Sequence, residues 1–210
     1  MSFSPRAALT HLRRADPVLG EIIARVGPYR LERRRAGTHY DALVRSIVYQ
    51  QLSGKAAGTI HRRFLELYPA RRARAELVLD SSEAQLRSAG LSRQKIGYLR
   101  DLSARVAERT LPLAHLGRLP DEAIIEHLVQ VKGIGRWTVQ MFLMFRLGRP
   151  DVLPELDLGV QNAIQRAYGL KARPSPAEVL RIGAPWRPFA SVASWYLWRS
   201  LENGDGQLGD

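Results

Sequence analysis

Apolar residues recur at helical spacing along nearly the whole chain, and no segment shows the strict alternation of a half-buried strand. That restricts the fold to packed helices. Pro5 to Arg14 and Pro17 to Val26 read as short amphipathic helices, the second capped by Asp16. Tyr40 to Gln51 puts Leu43, Val44, Ile47 and Val48 on one stripe. The run Gln51-Leu52-Ser53-Gly54 breaks the pattern, and Ser53 is placed to cap a helix with Ala56, Ala57, Ile60 and Phe64 inside. Asp80 with Glu83 predicts a capping box, and Gly90 a stop. Ser92 opens a helix facing Ile96, Leu99, Leu102 and Val106 inward. Pro120 predicts a first helical position ahead of Ile124, Ile125, Leu128 and Val129. Ser175-Pro176-Ala177-Glu178 combines cap, N1 proline and N3 glutamate. Pro188 to Leu201 predicts a closing helix, and residues 203–210 a frayed tail. Residues 69–79 fit either an exposed helix or a loop. The expected class is all-α.

Charge narrows the partner. Lysine and arginine number 32 against 20 acids, a net charge of +12, and all but four of the cations are arginine. An arginine-favouring genome explains much of the Arg-to-Lys ratio but not the net charge. A surface of this sign attracts polyanions, and guanidinium forks suit phosphate. No cysteine is present, which excludes disulfides, thiolate zinc and iron–sulfur clusters. The five histidines show no paired metal-ligand spacing. Any chemistry must come from carboxylates, hydroxyls and aromatics. No apolar run spans a bilayer, and the first residues lack the apolar core of a secretory signal, so a cytoplasmic location is expected, nucleoid-associated if the chain is bacterial.

The stretch Leu128 to Gln140 reads as two helices joined by a tight Gly133-Ile134-Gly135 turn. Glycines let such a turn approach a ligand closely, and the helix starting at Gly135 offers unpaired amides and a positive dipole end. Lys132 and Arg136 add full charges, so the turn is a candidate phosphate site. The following helix, Trp137 to Leu147, is apolar nearly all round. That fits burial on both faces, or a Trp137 face given to a pocket. Asp157 lies 22 positions after Gly135, beyond the loop Gly148-Arg-Pro-Asp-Val-Leu-Pro154. It could cap the next helix, catalyse, or do both. Asp151 and Glu155 compete with it, but Leu156 and Leu158 on either side predict an apolar surround for Asp157.

The hairpin, the Gly/Pro loop and the aspartate resemble the helix–hairpin–helix–Gly/Pro–Asp superfamily of DNA glycosylases. Four further stretches narrow the resemblance to its 3-methyladenine DNA glycosylase II (alkylpurine glycosylase) branch. They are Ser46 to Ser53 with Ala56-Ala57, Gly90 to Leu99, Lys132 to Thr138, and Trp186 to Trp198. The resemblance runs from about Ala15 to Leu201 and fits the compact members, which lack an extra N-terminal mixed α/β domain.

The resemblance implies two helical lobes with an active-site cleft between them. Residues 36–150 would form a six-helix, barrel-like lobe bearing the hairpin, and residues 1–35 with 151–210 the second. Asp157 matches the catalytic aspartate. Trp137 and Trp198 match aromatics lining the base pocket. Met141 and Leu158 stand where the larger bacterial form has tyrosines, implying a less aromatic pocket. Lys132, Gly133, Ile134, Gly135, Arg136 and Thr138 fall in the DNA-gripping hairpin. Gln51 and Leu52 fall where a residue plugs the gap left by a flipped base, and Ser53 beside them is placed among the DNA-binding residues. The carbonyls of Val129, Val131 and Ile134 match those sharing a sodium or potassium ion with a DNA phosphate; no other cofactor is implied. Ala190 replaces the usual arginine, which removes an expected partner for local ion pairing.

Bifunctional relatives carry a Schiff-base lysine two residues after the second hairpin glycine; here that residue is Trp137, so hydrolysis without strand nicking is expected. The absence of cysteine likewise excludes the cluster-bearing endonuclease III and adenine-mismatch branches. The expected partner is double-stranded DNA with alkylated bases, such as 3-methyladenine and 7-methylguanine, attacked by a monomer away from any membrane. Such bases are cationic and leave as neutral species, so no general acid is needed. Indole faces would favour them by about 0.5–2 kcal/mol each. A non-catalytic helix–hairpin–helix binder would leave Asp157 and the Trp186–Trp198 motif without purpose. Deaminated or mismatched bases, being neutral, would need more acid assistance.

Overall fold

The computed structural model describes residues 3–34 and 36–202; the tail expected at 203–210 lies outside the described residues. Helices alone are found among them, and none is long and apolar enough to cross a membrane. The chain divides into two compact units. One runs up to Arg34 and resumes at Leu143; the other is the intervening stretch to Phe142. The second boundary therefore falls at Phe142 rather than at residue 150.

In the intervening unit, α3 (His39–Tyr49) starts from a Thr38–Asp41 capping box and packs on α4 (Gly54–Glu66) and α7 (Arg93–Ala107). Ser53 and Ser92 cap α4 and α7, accepting the amides of Ala56 and Lys95. Short helices α5 (Ala75–Asp80) and α6 (Glu83–Ser88) lie against α7. Leu43, Ile47, Phe64, Leu86, Leu99 and Leu102 are fully enclosed. Residues 69–79 resolve into a 3₁₀ turn, Pro69–Arg71, followed by α5.

Three local expectations fail, the first for an identifiable reason. The capping box before α6 is made by Ser82 and Gln85, not by Asp80 and Glu83. Asp80 is spent as the last residue of α5, and Ser82 takes the extended conformation a cap requires. Pro120 sits one residue ahead of α8 (Asp121–Leu128) as its cap rather than inside the helix. In addition, the helix expected from Trp137 to Leu147 is α-helical only over α9 (Arg136–Met141) and continues as a π-helix over Phe142–Leu147.

The other unit is assembled from both ends of the described chain. Helices α1 (Pro5–Ala15) and α2 (Pro17–Val26) pack with α10 (Leu158–Ala167), α11 (Pro176–Gly183) and α12 (Ala190–Glu202) around Leu12, Leu19, Ile23, Ile164, Trp186 and Tyr196. Asp16 ties this core together. Its Oδ1 accepts the Leu19 amide at 3.1 Å, and its Oδ2 accepts the Trp186 indole N–H at 2.8 Å and the Tyr168 hydroxyl. Sequence alone shows Asp16 only as a helix cap; its distant partners emerge from folding. Asp16→Ala removes the acceptor from two buried donors. It should cost about 3 kcal/mol, read as a lowered midpoint in thermal denaturation; a loss below about 1 kcal/mol, the value of a cap alone, would contradict the shared role.

Candidate active site

Asp157 is buried, at 9% exposure, and caps α10: its Oδ1 accepts the Val160 amide at 2.8 Å. The Trp198 indole N–H reaches the same oxygen, also at 2.8 Å, from α12. Two donors from different helices thus fix the carboxyl group's rotamer. Trp198 in turn lies against Phe145, with ring centroids 5.9 Å apart and planes 19° from parallel. Gly159 makes the contact possible, because a Cβ there would sit 2.9 Å from the Trp198 ring and 3.0 Å from Asp157 Oδ1. No sequence signal distinguished Gly159, since its backbone is helical and its constraint comes from a residue 39 positions away.

Asp157 is enclosed rather than open to solvent, as its setting predicts. Leu156 and Leu158 are themselves 47% and 59% exposed, so the flanking leucines do not bury Asp157. The α10 turn and Trp198 both contact the aspartate. Of the competing carboxylates, Asp151 accepts the Ala190 amide at 3.2 Å. Ala190 is buried, at 2% exposure, so the position usually held by arginine is here a packed methyl group. Glu155 is also buried, and its carbonyl accepts the Gln161 side-chain amide at 2.8 Å.

In the other unit, the hairpin between α8 and α9 is held from beneath by α7. Gly133 takes φ +79°, and a Cβ on it would collide with the Tyr98 ring. Its carbonyl accepts the Gln50 side-chain amide at 2.7 Å, while the Ile134 amide donates to Val131 at 3.0 Å. The Lys132 amide donates to Asp101 at 2.9 Å. Burial penalises the Asp101 charge, but this amide and the Arg105 guanidinium outweigh it and hold the carboxyl below its usual range. Gly135 differs from Gly133: its φ is −92°, and a Cβ there would meet nothing. Fold alone therefore demands the first glycine and not the second.

The remaining expected residues distribute between the units. Asp157, Leu158 and Trp198 belong to one; Gln51, Leu52, Ser53 and residues 129–141 belong to the other. Trp137 is 43% exposed, which removes the possibility that its helix is buried on both faces; Val139 and Phe142 carry the buried side. Met141 is half-buried and Thr138 is buried. Arg136 is a qualified cation: it forms a two-pronged pair with Glu122, at 2.7 and 3.0 Å, which offsets its charge. Lys132 is exposed.

Residues 44–188 match the model of the HhH-GPD superfamily base excision DNA repair proteins, and the chain belongs to that family. DNA-3-methyladenine glycosylase 1 of Schizosaccharomyces pombe is 34% identical over 93% of this chain and 87% of its own length. YfjP of Bacillus subtilis is 37% identical over 78% of this chain, which spans 59% of that protein's length. The S. pombe 3-methyladenine DNA glycosylase Mag1, solved in complex with abasic DNA, superposes with a TM-score of 0.84 over 93% of this chain and 97% of that one. The Bacillus halodurans DNA-3-methyladenine glycosidase gives 0.83 at 35% identity, over 94% of this chain and 89% of that one.

The two hairpin glycines should separate experimentally. Gly133→Ala should lose more than about 2 kcal/mol of stability through its left-handed backbone and the Tyr98 collision. Gly135→Ala should stay within about 0.5 kcal/mol of the parent. Equal denaturation midpoints for the two variants would contradict this assignment.

Proposed function

We propose that the chain is a monofunctional DNA glycosylase that hydrolyses the N-glycosidic bond of alkylated purines, such as 3-methyladenine and 7-methylguanine, in base excision repair. The observation that carries this reading is the doubly held Asp157 carboxyl group in a member of this repair family. The names of its relatives and the abasic-DNA complex of Mag1 support it.

On this reading the hairpin grips phosphates without reading sequence. The Lys132 amide is committed to Asp101 and the Ile134 amide to Val131, so the open Gly135 end of the turn is where a phosphate approaches. Lys132 supplies charge, and Arg136 contributes less than its type suggests because Glu122 shares it. Extruding the target nucleotide costs a few kcal/mol, least where pairing is already damaged. The bond to a cationic purine breaks with its electrons passing to the base, which leaves neutral. Positive charge develops on the sugar as the bond opens. Asp157 offsets that charge and orients the water that adds to the anomeric carbon, the water's surplus proton passing to the carboxylate and on to solvent. One face of the Trp198 indole is offered to the base, the other being covered by Phe145.

No lysine is offered for a Schiff base at the family's lyase position, which is Trp137, and Lys95 is engaged with the Val48 and Gln50 carbonyls. A sodium or potassium ion would be held by the carbonyls of Val129, Val131 and Ile134. Three neutral peptide oxygens suit a weakly bound monovalent ion better than Mg²⁺ or Ca²⁺, which favour carboxylates. On this reading the chain acts as a monomer, in the compartment holding the genome.

Asparagine at position 157 keeps both acceptor roles of the side-chain oxygen, so Asp157→Asn tests charge without removing the helix cap. Base release from methylated duplex DNA should fall at least about a hundredfold, while binding to abasic-site DNA persists; retained turnover would overturn the assignment. Gly135→Ala, folded as the parent, should bind duplexes of every sequence about tenfold more weakly; unchanged affinity would remove the hairpin from the phosphate grip.

A further inference from the structure

Between α3 and α4 the chain turns in four residues, Gln50 to Ser53, at the place where the functional reading puts the gap-filling residue. Gln51 holds φ +56°, a left-handed conformation that non-glycine residues adopt only when their surroundings impose it. Leu52 beside it is 39% exposed. An exposed apolar side chain on a strained turn needs a rigid mount, and the mount is visible.

Lys95 projects from α7 and donates to two carbonyls at once, Val48 and Gln50, each at 2.7 Å. These are orphan acceptors at the C-terminal end of α3, where a cation also meets the negative end of the helix dipole. Burial lowers the Lys95 pKa from its usual value, a cost that two close carbonyls offset. Gln50, held at its main chain by Lys95, spends its side chain on the hairpin: its amide donates to the Gly133 carbonyl at 2.7 Å. The peptide linking Gly133 to Ile134 is therefore fixed at both ends, by Gln50 on its oxygen and by Val131 on its nitrogen. Tyr98, three residues along α7 from Lys95, packs under Gly133 and is itself held by the Gln94 side chain at 2.7 Å.

The geometry points to Lys95 and Gln50 as positioning residues, a latch that sets the spacing between the Gln51–Leu52 turn and the Gly133–Gly135 phosphate grip. The inference rests on the glycosylase reading above. Its consequence is specific. A duplex can be gripped by the hairpin alone, but a nucleotide is kept extruded only if the gap-filler enters beside the gripped phosphate. Loosening the latch uncouples the second event from the first.

The test compares Lys95→Met and Gln50→Leu with the parent chain on two duplexes, one undamaged and one holding an abasic-site analogue. Lys95→Met, which leaves Gln50 and Val131 on the hairpin peptide, should bind undamaged duplex with the parent's affinity and salt slope, and Gln50→Leu should lose far less on undamaged duplex than on the abasic site. Both should lose about tenfold of the parent's preference for the abasic site, and single-turnover release of 7-methylguanine should fall in parallel. Lys95→Arg, which can still reach two carbonyls, should recover most of the preference. An undiminished preference in the Gln50 variant would overturn the latch, and so would an equal loss on both duplexes, the signature of a merely structural role. Should Lys95→Met fail to fold, Gln50→Leu carries the test, since it leaves the cap on α3 in place. A parent chain that releases no base from methylated DNA would instead remove the glycosylase reading, and the latch with it.

Discussion

Each α-helix leaves amides at its start and carbonyls at its end without intrahelical partners, and a chain of short helices must satisfy many such ends. Here several of the residues that do so lie in or beside the proposed site. Asp157 caps α10, Ser53 caps α4, Lys95 closes α3, and Asp101 takes an amide of the turn between α8 and α9. The fold solves a backbone problem, and the solutions lie where chemistry would need rigid polar groups.

This shared duty has an energetic consequence. A cap of about 1 kcal/mol is a modest contribution, but it fixes a rotamer without any further interaction. The Trp198 indole adds a second donor to Asp157, so the carboxyl group is oriented before any substrate arrives. Preorganisation of this kind avoids reorienting a charged group during reaction. The same economy appears at the hairpin, where Gln50 and Val131 secure opposite ends of a single peptide unit.

Much of this was legible from sequence. Cap residues with their partners at fixed offsets placed most helix starts, because capping is local. Ser175 with Glu178, Ser53, Ser92 and Asp16 all behave as their spacing predicts. The box at Asp80 failed because two overlapping signals competed and Ser82 won. The setting of Asp157 was only half legible: its cap follows from position, whereas its contact with Trp198 joins residues 41 positions apart. Arg136 read as a phosphate cation because Glu122, 14 residues away, gave no sign of pairing with it.

Helical period and the scarcity of strand patterning determined the all-α class. The ordered motifs from Ser46 to Trp198 determined the family, and the glycine turn with a following aspartate marked where chemistry would lie. Tertiary structure alone decided which glycine the fold requires, which cation is already paired, and which lysine holds the turn after α3. The physical reason is range. Capping and periodicity act over three or four residues, so they are written in consecutive letters, whereas the Trp198–Asp157, Lys95–Val48 and Tyr98–Gly133 contacts join side chains and backbone brought together only when separate helices pack.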